Sequence, residues 1–149
     1  MADRTILVVN GPNLNLLGVR EPSVYGSETL AEIEEACLER ADTLGLAVDF
    51  RQTNSEGEMI DWVQEARESA DGIIINAGGY SHTSIALLDA LTASELPIVE
   101  VHLSNIHRRE SFRHHSYVSH AARGVIVGLG GHGYELALEA MARLLADGS

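Results

Sequence analysis

The side chains most capable of chemistry fall in four short segments. The first, Asn10–Gly26 (NGPNLNLLGVREPSVYG), holds Asn13, then Arg20, Glu21 and Tyr25 near its end. It is long for a connection between a strand and a helix. A polar loop of that length beside a ligand suits a closing lid; the alternative is an ordinary surface loop with a solvated arginine and an anchoring tyrosine. The second, Asn76–Ser84 (NAGGYSHTS), pairs a flexible Gly78-Gly79 turn with His82, Thr83 and Ser84 at the start of a helical pattern. Glycines allow close backbone approach to a ligand, and a helix start favours anions. The spacing is not that of a dinucleotide fingerprint, and a plain glycine turn with a Ser/Thr cap explains it equally.

The third segment, Pro97–Asn105 (PIVEVHLSN), interrupts an apolar strand pattern with Glu100 and His102. Residues two apart in a strand share a face, so the carboxylate and imidazole are neighbours. A buried glutamate needs a partner. A carboxylate behind an imidazole sets its tautomer and suits it to proton donation, whereas the structural alternative is an ion pair at the strand end. The fourth, His107–His120 (HRRESFRHHSYVSH), carries His107, His114, His115 and His120. No cysteine or carboxylate stands there at metal spacing, so no metal is expected. Arg113 is its candidate binding residue, because a guanidinium presents a fixed fork of donors to hydroxyl or carboxylate oxygens.

Composition narrows the chemistry. All ten basic residues are arginine. Without a lysine amine neither a Schiff base nor a P-loop is possible. The net charge of −12 argues against a nucleic-acid partner. No run approaches the roughly 18 apolar residues of a membrane span, and the Met-Ala-Asp-Arg start shows no signal-peptide pattern. With Cys37 as the single cysteine, a cytoplasmic location is expected.

These segments need a scaffold to bring them together. Strand patterns at Thr5–Asn10, Ala47–Thr53, Gly72–Asn76, Pro97–Leu103 and Gly124–Leu129 alternate with helical patterns at Glu28–Leu46, Ser55–Ala70, Ser84–Ser94 and Gly133–Ala146. Leu30, Ile33, Cys37, Leu38 and Leu44 mark the first helix. Ser55 with Glu58 forms a capping-box pattern for the second. Cys37, Trp62 and the methionines sit at core-like positions. We find no repeat or linker, and read residues 1–149 as one domain. The expected fold is α/β, a flavodoxin-like doubly wound five-stranded parallel sheet of order 2-1-3-4-5. Such sheets bind ligands beyond the carboxyl ends of their strands, where Asn10, Asn76 and Leu103 lie.

In combination, NGPNLNLLGVREPSVYG, NAGGYSHTS, VEVHLSNIHRRESFRHHS and GVIVGLGGHGY resemble type II 3-dehydroquinate dehydratase in order and spacing, from about Ile6 to Leu144. Small departures from common family residues stand at Gly79, Ser81 and Ser111. The resemblance implies a shikimate-pathway lyase, without cofactor or metal, that dehydrates 3-dehydroquinate by anti elimination through an enolate. It implies Tyr25 as base, Arg20 as the arginine favouring the tyrosinate, and His102 as acid oriented by Glu100. Asn13, with the backbone of Pro12 and Gly79, would hold a water near the enolate oxygen. Asn76, His82 and Arg113 would bind substrate hydroxyls, and Leu103 and Ser104 the carboxylate. Asp89 would reach a neighbouring subunit's site in a homododecamer built as a tetramer of trimers. A phenol ordinarily titrates near ~10, so a tyrosinate base needs cationic neighbours. The type I enzyme for the same reaction needs a lysine. Alternatives of another class are a flavodoxin-like binding module and an inactive oligomeric scaffold.

Overall fold

A computed structural model describes residues 3–147. Met1, Ala2, Gly148 and Ser149 lie outside the described residues, and with them the readings made of Met1 and of the chain's first two residues. The β-branched runs become five strands: β1 (Arg4–Asn10), β2 (Leu46–Gln52), β3 (Gly72–Asn76), β4 (Ile98–His102) and β5 (Gly124–Val127). All pair in parallel, in the order β2-β1-β3-β4-β5. Three main helices connect successive strands, α2 (Leu30–Leu44), α3 (Glu56–Ser69) and α4 (Ile85–Ser94), while short 3-10 turns lead from β4 to β5 and α5 (His132–Ala146) follows β5; a single turn, α1 (Pro22–Tyr25), lies inside the first loop.

Helices cover both faces of the sheet, which is why β1 and β3 are apolar at successive positions rather than at alternate ones. Ile6 and Val8 pack with Ile33, Cys37, Leu138 and Met141 under α2 and α5. Leu7 and Val9 point oppositely and pack with Met59, Val63, Leu87 and Leu91 under α3 and α4. Of the residues expected in the core, Leu38 is 47% exposed, whereas Trp62 packs against the α3 and α4 side of the core while half-buried, with the Arg51 guanidinium 5.3 Å from its ring centre.

Helix starts follow the caps. At Thr29 the hydroxyl accepts from the Glu32 amide, and the Glu32 carboxylate accepts from the Thr29 amide. This capping box starts α2 at Leu30 rather than at Glu28. At α3 only half the expected box forms. Ser55 Oγ accepts from the Glu58 amide, but the Ser55 amide donates to Thr53 Oγ1 at 3.0 Å. Gly45, with φ of 71°, ends α2, so Leu46 opens β2 opposite Arg4.

The sheet brings the site's strand ends to one edge. Asn10 and Asn76 are register partners at the ends of β1 and β3, and His102 ends β4. The turns that follow touch through backbone. A Cβ on Gly11 would sit 2.4 Å from the carbonyl oxygen of Ala77, so only glycine permits this approach.

Candidate active site

The first loop folds back over the sheet edge in two short turns, Leu14–Leu16 and α1. Pro22 begins α1 with its φ already helical, and Gly26, at φ 85°, ends it. Tyr25 is thereby the last residue of this turn. Two guanidinium groups lie near its ring, with Arg20 Cζ 4.8 Å and Arg109 Cζ 5.2 Å from the ring centre. The phenol oxygen accepts a 2.8 Å hydrogen bond from Arg109 Nη1. Arg109 was not among the residues singled out from sequence. It belongs to irregular short turns between Ile106 and His120, where no periodicity marks a face. His114 Nε2 lies 2.8 Å from the Arg109 carbonyl and tethers that segment.

Behind the cavity, Glu100 is fully buried and His102 nearly so, and His102 Nε2 meets Glu100 Oε2 directly. Ser116 and Ser119 also donate to the Glu100 carboxylate. Burial pushes this carboxyl upward, but the hydrogen bonds and charge of His102 and the two serines outweigh it, holding the group below its ordinary value. Glu100 is therefore an ionised carboxylate fixed from three sides. The serines were also missed from sequence, because they reach Glu100 across the fold.

His82 Nδ1 lies 2.9 Å from the His115 carbonyl, which can only accept, so Nδ1 carries the proton and Nε2 is the acceptor. Burial lowers the His82 pKa, and nearby His102 and Arg113 add to that lowering against the opposing His115 carbonyl. The ring is neutral at pH 7. Asn13 adopts the left-handed conformation at φ 70°, with its amide donating to Asn54 Oδ1 at 3.0 Å. Arg113 bonds Glu110 at 2.7 Å.

One cavity of about 190 Å³ gathers most of these groups. Asn13, Arg20, Tyr25, Asn76, His82, His102, Leu103, Ser104 and Arg113 line it, together with Arg109, Leu14 and Ile106 and the Pro12, Gly78 and Gly79 turns. Glu100 stands one layer behind, through His102. Asp89 lies on α4, exposed and outside this cavity. Among the described residues, no group of three histidine, cysteine or acidic side chains is placed to hold a metal ion. A phenolate beside cationic donors can take a proton, and an imidazolium backed by a carboxylate can give one.

The fold and the cavity together define an α/β enzyme with an acid–base site at the switch point of a doubly wound sheet. The family model for dehydroquinase class II matches residues 4–142. A relative from Pseudomonas aeruginosa, 3-dehydroquinate dehydratase 2, is 63% identical over 136 residues, covering 91% of this chain and 92% of its own. A 3-dehydroquinate dehydratase from Streptomyces coelicolor is 56% identical and covers 100% of this chain and 96% of its own. The crystal structure of type II dehydroquinase from Propionibacterium acnes superposes with a TM-score of 0.90 at 47% identity, covering 94% of this chain and 97% of that one. The chain belongs to the class II dehydroquinase family.

Proposed function

We propose that this chain removes water from 3-dehydroquinate to give 3-dehydroshikimate in the shikimate pathway, without a Schiff base. Membership of the family supports the reaction. The observation that carries the mechanism is the pairing, across one cavity, of Tyr25 beside two arginines with His102 backed by Glu100.

Tyr25, as phenolate, takes the C2 proton. The electron pair moves into the C3 carbonyl and forms an enolate. Arg109 and Arg20 supply the positive charge that a phenolate requires. With no lysine to form an iminium, hydrogen-bond donors must carry the enolate charge. Asn13 and the Pro12 and Gly79 backbone would do so through a bound water. The enolate then collapses, the C1–C2 double bond forms, and His102 gives its proton to the departing C1 hydroxyl, which leaves as water. Proton exchange from Tyr25 to His102 resets the site. Asn76, His82 and Arg113 bind substrate hydroxyls, His82 through its neutral acceptor nitrogen. Leu103 and Ser104 bind the carboxylate.

We place the enzyme in the cytoplasm; among the described residues no helix is long and apolar enough to cross a membrane. A homododecamer, a tetramer of trimers in which Asp89 reaches a neighbouring site, accounts for the position of Asp89 outside its own cavity. Ile85 on the same helix, 55% exposed, supplies an apolar contact beside it. The decisive experiment mixes purified protein with 3-dehydroquinate, with no added metal or cofactor, and follows the ultraviolet absorbance of the new conjugated enone. Growth of absorbance is expected; none at high enzyme concentration overturns the assignment.

A further inference from the structure

Beneath the cavity lies a buried polar chain of which the reaction scheme uses only Asn76. Tyr134 of α5 is 1% exposed, yet its hydroxyl reaches two asparagines. It donates to Asn10 Oδ1 at 2.6 Å and accepts from Asn76 Nδ2 at 3.0 Å. Both outer ends of the chain are backbone groups with one possible role each. Asn10 Nδ2 donates to the Arg51 carbonyl at 3.0 Å, and Asn76 Oδ1 accepts from the Gly78 amide at 3.2 Å.

Those anchors fix every proton between them. A carbonyl only accepts, so the Asn10 amide nitrogen faces Arg51 and its oxygen faces Tyr134. The phenol must then donate to Asn10, which leaves its lone pair for Asn76. Asn76 must answer with nitrogen, and its oxygen therefore meets the Gly78 N–H. One N–H of the Asn76 amide remains uncommitted, on a residue that lines the cavity.

We propose that Tyr134 is a positioning residue that locks the Asn76 carboxamide in one orientation, so that it presents an N–H donor to a substrate hydroxyl oxygen. This rests on the reading of Asn76 as a substrate ligand. The phenol is locked as a donor in turn, since burial pushes its pKa up and keeps it protonated. Without it, the Asn76 amide loses one of the two bonds that choose between its flipped forms.

The test is a double-mutant cycle on KM and kcat with Tyr134→Phe and Asn76→Ala, read on protein shown folded by circular dichroism. Tyr134→Phe is expected to raise KM about fivefold, the worth of one neutral hydrogen bond, with kcat within about twofold, because a binding contact is lost equally in ground and transition states. In the Asn76→Ala background, Tyr134→Phe should add no further rise in KM. Additive KM penalties, or an unchanged KM with only a lowered Tm, overturn the proposal. If Asn76→Ala itself leaves KM unchanged, both this proposal and the underlying reading of Asn76 fall. Should Tyr134→Phe not fold, Asn10→Ala replaces it in the same cycle, with the same non-additivity expected and additivity again refuting the idea.

Discussion

Tyr25 has one polar atom, and its protein partner is Arg109, with Arg20 over the ring. The roles of the two arginines therefore differ. Tyr25→Phe keeps the ring beside both guanidiniums and removes only the phenol oxygen. It should cut kcat by on the order of 10²–10⁴-fold while ligand binding, read by calorimetry with the product, is retained. Near-normal turnover would remove Tyr25 from the base role. Arg109→Gln should lower kcat by at least about tenfold, because the phenol loses its charged donor; a variant that changes KM alone would make Arg109 a substrate ligand instead. Tyr25, His102 and His82 were legible from sequence through motif resemblance and strand-end position. Arg109, Ser116 and Ser119 were not, because each acts across a distance in sequence that no local spacing encodes.

At the scale of elements, caps and close approaches decide where the chemistry sits. Thr29→Ala removes half of the α2 capping box and should cost about 1 kcal/mol, read as a Tm lowered by a few degrees with kcat unchanged. A loss of kcat beyond the loss of folded protein would mean that α2 couples to the site. Gly11→Ala is different in kind. Its Cβ would collide with the Ala77 backbone, so β1 and β3 must separate at their ends and carry Asn13 and Asn76 with them. That variant should lose both stability and turnover, and a crystal structure should show the two turns displaced. Unaltered activity would mean that the site tolerates movement of its strand ends. Strand and helix existence was readable from periodicity, whereas boundaries shifted by one or two residues. The capping chemistry at Thr29 and the left-handed Gly45 outweighed the apolar spacing that extended the first helix from Glu28 to Leu46.

For the whole molecule, the buried Glu100 links the site to acid stability. A carboxyl held below its ordinary value of 4.5 contributes stability that is fully present above that pH and is lost as pH falls through the lower folded value. Glu100→Gln should therefore be less stable than the parent at pH 7, with the gap in Tm narrowing only below about pH 4.5. A gap constant down to pH 2 would show that Glu100 is not ionised in the fold. Sequence alone determined the fold class and narrowed the sheet order to a few, of which the expected one forms. Apolar runs separated by helix-length crossovers leave few right-handed parallel topologies open. It also excluded imine chemistry, since no fold can supply an absent lysine. Tertiary structure decided which arginine bonds Tyr25, what holds Glu100 charged, and how Tyr134 sets the Asn76 amide. Those contacts join residues as many as 124 positions apart, and their geometry exists only once the sheet has brought the strand ends together.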